Sequence, residues 1–286
     1  MEYYHVDVFS KKPFAGNGLT VVLSDREPDK EFMQKTAQEL KQFETIFLIR
    51  KEENVFRARI FTVEEELDFA GHPILGAAAV LHERYFTNET LADIQLVLNQ
   101  KMVQITSEKE AGCYRCCMNQ GKAEFLGLLD TSRYNEYLEP LNLSMENLEE
   151  QYPLEVISTG LPYLLVPVKS GLEKAKILVE DYENRLETIG AKFVYIFDIN
   201  RLEGRTWDNL GKVEDVATGS AAGPVGAYLY KRNLYSSTES ILLQQGRFLG
   251  RPSVIEISMQ PESDAVLITG YVKILICGEL QESDCM

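Results

Sequence analysis

Residues 71–84 read GHPILGAAAVLHER, and residues 219–232 read GSAAGPVGAYLYKR. At one fixed offset (219 − 71 = 148), Gly71 falls on Gly219, His72 on Ser220, Ala79 on Ala227, Leu81 on Leu229 and Arg84 on Arg232. Upstream, Glu66 falls on Glu214 at the same offset. The offset is about half the 286-residue chain. Two related halves are predicted, each with a helix that opens at a Gly-polar pair. Small residues occupy nearly every face of both segments, so neither is cleanly amphipathic. A helix that is apolar all round is a buried one. A sheet wrapped around a central helix would bury it in that way.

The flanking sequence supplies the strands. Aromatic and β-branched alternation predicts strands over 3–9, 19–23, 44–49, 56–61, 94–99, 102–107 and 113–118. A helix is predicted over 29–41, with Phe32, Met33, Ala37 and Leu40 on one face, and another over 74–84. The second half predicts strands over 156–158, 163–167, 193–198, 239–245, 254–259, 265–269 and 271–277. Its helices are a short one over 144–151 capped by Ser144, a broken one over 172–189 and a small-residue one over 220–232. The fold class is therefore α+β, with two pseudo-symmetric lobes. They comprise residues 1–112 plus 270–286 and residues 113–269. No low-complexity or Pro/Gly/Ser-rich linker lies between them.

Composition narrows the function. The net charge of −15 repels phosphate backbones and anionic lipid, which argues against nucleic-acid and membrane-surface partners. The first residues, MEYYHVDVFS, lack the basic and apolar regions of a signal peptide, and no apolar run is long enough to span a bilayer. The cysteines are Cys113, Cys116, Cys117, Cys277 and Cys285. Their odd number predicts a reducing, cytoplasmic location rather than a disulfide framework. Cys113-x-x-Cys116-Cys117 has no second ligand pair at zinc spacing, so strand packing explains it better and no metal is expected. His5 and His82 lie outside any motif and read as structural. The run Glu64-Glu65-Glu66 reads as a solvated turn, and Trp207 as a residue packing at the lobe boundary.

Four segments could carry chemistry: FAGNG (14–18), FETIFL (43–48), DFAGHPILG (68–76) and EDVATGSAAG (214–223). Gly71 and Gly219 permit tight turns ahead of helices whose free N–H groups attract a carboxylate. His72 and Ser220 could add side-chain donors there, although capping is the plainer role for each. Two such starts at matched positions favour binding of a small carboxylated substrate. Glu44 lies among Phe43 and Ile46–Leu48. Burial there would disfavour its charged form and suit it to carry protons near neutrality. A solvent-facing edge position is the competing reading. Asp215 either supports the helix start electrostatically or acts on His72 or substrate.

These segments, in this order, resemble the phenazine-biosynthesis PhzF-like family, and the likeness extends to GYVKILICGEL near the end. The resemblance implies a diaminopimelate epimerase-like fold of two lobes, each a β-barrel around a central helix, in a homodimer. It also implies proton transfer without a cofactor. It makes Glu44, His72 and Asp215 the catalytic candidates, and places the substrate carboxylate near the helix start carrying Ser220. Gly71, Gly219 and Asn17 of FAGNG complete the expected binding set. The chain departs from the family pattern at FTVEEELDFAGH, at Val216 and at Gly223-Pro224, which bears on substrate shape more than chemistry. An epimerase with two opposed acid–base groups and a non-catalytic ligand-binding protein are the alternative functions. The family's two-cysteine relatives are not matched, because no cysteine falls in the glycine-rich segments.

Overall fold

The computed structural model describes residues 1–260 and 262–281, so Cys285 lies outside the described residues. The elements run in the order β1 (Glu2–Val8), β2 (Asn17–Ser24), α1 (Lys30–Leu40), β3 (Glu44–Arg50), β4 (Val55–Phe61), β5 (Glu66–Leu67) and α2 (Gly71–Tyr85). Then follow β6 (Leu91–Val97), β7 (Met102–Glu110), β8 (Cys113–Lys122), β9 (Glu124–Leu128), α3 (Tyr134–Leu138), β10 (Glu155–Ser158) and β11 (Pro162–Val168). The chain continues through α4 (Tyr182–Glu187), β12 (Phe193–Asp198), β13 (Glu203–Arg205), α5 (Gly219–Lys231), β14 (Ile241–Gln245), β15 (Ser253–Gln260) and β16 (Ala265–Glu279). The fold is α+β, with parallel and antiparallel pairs in both halves.

Contacts divide the chain into two units, residues 1–119 with the chain from 269 on, and residues 120–268. The first division falls later than the expected 112/113 because Cys113–Met118 pair with β7. In the first unit the strand order is β1-β2-β3-β4-β6-β7-β8, and β16 neighbours both β8 and β1. Helix α2 packs against β1, β2, β3, β6 and β7, and is buried from Gly71 to His82. Its small residues permit that closeness. A Cβ on Gly76 would stand 2.3 Å from Leu19 Cδ2. Helix α1 is of the ordinary amphipathic kind. Asp29 caps it by accepting the Phe32 N–H at 2.8 Å, and Met33 and Ala37 join Val22, Phe47 and Phe61 in a side core.

The second unit repeats the plan. Its strands run β15-β14-β13-β12-β11-β10-β9, and α5 packs against β10, β11 and β15. A Cβ on Gly226 would stand 2.4 Å from Ile257 Cγ2. A second core of Tyr137, Leu138, Tyr182, Leu186 and neighbours lies under α3 and α4. Trp207 belongs to that core. The repeat extends to the helix ends. Arg84 makes a fork with Glu2 of β1, and Arg232 reaches Glu155 of β10.

Several local expectations change. Helix α2 opens at Gly71 rather than 74, because Pro73 is tolerated in a first turn, where its missing N–H has no partner to lose. The segment 144–151 holds only a 3₁₀ turn, Met145–Asn147, closed by a Ser144–Asn147 capping box. The region 172–189 reduces to a turn at Leu172–Lys174 and the short α4. Strand β16 is continuous through Gly270, where a Cβ would collide with the Phe9 ring. Among described residues no helix is long and apolar enough to cross a membrane.

Candidate active site

In the first unit three elements bring Asn17, Glu44 and His72 together. Strands β2 and β3 run parallel with Leu19 beside Glu44, so Asn17 lies two residues back at the start of β2. Gly16, at φ +79°, makes the turn into that strand, and a Cβ there would meet the Val8 carbonyl at 2.3 Å. His72 stands in the first turn of α2. Its Nε2 is 3.2 Å from Glu44 Oε2, and its Nδ1 is 3.5 Å from Asn17 Nδ2. Glu44 is 5 % exposed and His72 4 %. The glutamate is therefore not on a solvent-facing edge.

The electrostatics follow from burial. Desolvation drives the His72 imidazole down to about 3, against a smaller opposing hydrogen bond with the Gly18 backbone. His72 is thus neutral at pH 7 and does not form a charged pair with the carboxylate. The Nε2–Oε2 approach is not aligned as a hydrogen bond, although its length is within reach of proton transfer.

In the second unit α5 opens at Gly219, and Asp215 and Ser220 flank that start. Both are buried. Sequence reasoning made Ser220 the plain N-cap candidate. The N-cap is Thr218, and its side chain does not cap. Instead its hydroxyl donates to Asp215 Oδ2. Gln245, at the end of β14, holds the turn from the other side. Its Nε2 donates to the Asp215 carbonyl at 2.8 Å and to Thr218 Oγ1 at 3.0 Å. Its Oε1 accepts the Thr218 N–H at 3.1 Å and the Tyr195 hydroxyl at 2.9 Å. All four hydrogen-bonding capacities of this buried amide are used.

Ser220 Oγ is 2.8 Å from the Tyr163 hydroxyl. The Gly219 carbonyl accepts from Gln120 Nε2 at 2.9 Å, and Thr159 donates to Gln120 Oε1 at 2.9 Å. Gly223 lets this pair pack closely: a Cβ there would lie 2.2 Å from Gln120 Oε1 and 2.6 Å from Thr159 Oγ1. Pro224 lies inside α5 and has no N–H for the Ser220 carbonyl.

Gln245, Thr218, Tyr163, Gln120 and Thr159 were not singled out by sequence reasoning. Only Thr218, inside ATGS, carried a local signal. Glu66 was misread: it is half-buried and gripped by an Arg59 fork, with Asn99 and Lys30 added, and its carboxyl is held down at about 2. The Arg59 fork is the main cause. Among the described residues the cysteines lie on strands, Cys277 on β16 and Cys113, Cys116 and Cys117 on β8. Burial pushes the Cys116 thiol up to about 12. His82 bridges Ser107 and the Glu89 carbonyl.

Comparison with known proteins adds a family to this geometry. The family model described as phenazine biosynthesis-like protein matches residues 6–278. An uncharacterized isomerase of Escherichia coli strain K12 is 31% identical, with 97% of each chain covered. Trans-2,3-dihydro-3-hydroxyanthranilate isomerase of Pseudomonas aeruginosa is 28% identical, covering 88% of this chain and 87% of its own. The solved structure of a predicted epimerase from Pseudomonas aeruginosa superposes with a TM-score of 0.93 at 44% identity, over 99% of both chains.

Proposed function

The chain belongs to the phenazine biosynthesis-like protein family, and on that premise we propose that it is a cofactor-independent isomerase that moves a proton on a small carboxylated metabolite. The observation that carries this reading is the buried Glu44 carboxylate, 3.2 Å from a neutral His72 at the opening of a buried helix. Glu44 takes a proton from carbon, and the released electron pair enters the adjoining π system. The protonated Glu44 then returns the proton to another carbon on the same face. Neutral His72 can donate a hydrogen bond, or relay the proton, without adding a charge that would have to be desolvated. Asn17 orients the imidazole.

Asp215, Gly219 and Ser220 serve the substrate. The start of α5 presents backbone N–H groups and the Ser220 hydroxyl to a carboxylate, and Gly71 offers the equivalent at α2. Asp215 is held by Thr218 and accepts or directs a proton of the substrate.

The first probe is trans-2,3-dihydro-3-hydroxyanthranilate, because a 28% identical relative is named for its isomerisation. Mass spectrometry of product formed in heavy water reads the mechanism. Retention of part of the original hydrogen supports single-base transfer by Glu44. Full washing-in of solvent deuterium at an inverted centre would replace it with epimerisation by two acid–base groups. Glu44→Gln should keep the fold and lose turnover, and a fully active Glu44→Gln protein would remove Glu44 from the chemistry.

A further inference from the structure

The strand pair ahead of each helix opening carries the same device. In the first unit Phe61 of β4 faces Glu66 of β5 across an antiparallel pair. Arg59 precedes Phe61 by two residues, so both side chains lie on one face. Arg59 Nε and Nη2 each approach the Glu66 oxygens at 2.7 Å. In the second unit Trp207 faces Glu214 across an antiparallel bridge. Arg205 precedes Trp207 by two residues, and its Nε and Nη2 approach the Glu214 oxygens at 2.8 and 2.7 Å. Each guanidinium also lies over its aromatic neighbour, 5.4 Å from the Phe61 centroid and 4.8 Å from that of Trp207.

Arg59-Ile60-Phe61 with Glu66 therefore corresponds to Arg205-Thr206-Trp207 with Glu214. The loop joining the two arms is longer in the second unit, which shifts the arginines out of the fixed 148-residue offset and hides them from sequence comparison. In both units the helix-opening glycine follows the glutamate at the same spacing. Both forks are largely shielded from solvent, with side-chain exposures between 9% and 13%. Arg205 has a further duty: its Nη1 donates to the carbonyls of Leu172, Glu173 and Ala175. A bidentate, shielded fork fixes geometry in a way an exposed pair does not. The helices need such a fix, because neither Ala70 nor Thr218 supplies a side-chain cap.

We propose that Arg59, Glu66, Arg205 and Glu214 are positioning residues whose forks set the take-off of each buried helix. One fork thereby places His72, and the other places Asp215 and Ser220. The inference rests on the reading above that the helix openings carry the reacting groups, but its test requires no turnover.

The three histidines of the chain can be followed by nuclear magnetic resonance of their ring carbons across pH. In Arg59→Lys and in Glu66→Gln, the His72 midpoint should rise by about one unit or more, as water reaches a loosened first turn. In Arg205→Lys and Glu214→Gln, amide exchange at residues 219–222 should speed up at least about tenfold. Glu2→Gln removes the exposed fork with Arg84 and should change neither readout. An unmoved His72 in folded unit-one variants, or an equal shift in Glu2→Gln, overturns the proposal. If both unit-one variants fail to fold, unchanged exchange in the unit-two variants overturns it instead. An active Glu44→Gln protein would defeat the isomerase reading and leave these results standing.

Discussion

The openings of α2 and α5 occupy matched places in the repeat and are built in opposite ways. At α2 the polar groups are few. A carboxylate and a neutral imidazole sit close together in an apolar setting, with an approach that is near but not aligned. At α5 the polar groups are many and saturated, and Gln245 alone makes four hydrogen bonds. A saturated network holds atoms in one place, because any displacement leaves a buried group unpaired. In the function proposed above, proton transfer falls to the first opening and substrate holding to the second.

The comparison can be broken most sharply at Glu44. Glu44→Gln should lower kcat by about 10⁴-fold with KM little changed, as expected for loss of the acid–base group. An equal loss of kcat on removing Ser220 would erase the division of labour.

Acid stability probes the same opening. His72 binds its proton in the unfolded chain near pH 6.5 but in the native state only near pH 3. The unfolded state therefore binds more protons between those values, so stability is full above pH 6.5 and is lost as pH falls toward 3. The loss amounts to roughly 5 kcal/mol at most. Glu66 adds a lower window, because its depressed carboxyl loses stability from pH 4.5 down to about 2. Denaturant titrations of wild type and His72→Asn from pH 7 to 4 check this. A slope in that range that persists unchanged in His72→Asn refutes the assignment.

The saturated opening should be the more fragile to truncation of one member. Gln245→Leu strands the Thr218 N–H and the Tyr195 hydroxyl in a dry interior, and should cost about 3 kcal/mol in chemical denaturation. A loss under 1 kcal/mol would mean that water replaces the amide. Ser220→Ala should raise KM about tenfold and leave kcat within a few-fold, measured on the first probe found to turn over. The smallest effect is expected at the exposed end of α2, where Glu2→Gln should cost about 0.5 kcal/mol or less.

Much of this was legible in order along the chain. The 148-residue offset identified both buried helices, because a helix enclosed by a sheet must be small and apolar on all faces, and composition records that. Glu44 in an apolar strand, His72 after a glycine and Ser220 in a TGS turn were readable for the same local reason. The misreadings have a common cause. Glu66 looked solvated because its neighbours Glu64 and Glu65 are exposed, and nothing nearby announces the Arg59 that grips it. Ser220 looked like a cap because caps are local, whereas Thr218 is turned away by Asp215 and by Gln245, 27 residues on.

The sequence by itself determined the duplicated plan, the two buried helices and the residue types able to carry a proton. Those follow from periodicity and side-chain chemistry, which act over a few residues. Only the tertiary structure decided which carboxylate meets the imidazole, which amide saturates the second opening and which arginines grip the glutamates ahead of both. Such pairings depend on strand order and register, and buried polar groups are satisfied by whatever the fold brings within 3 Å.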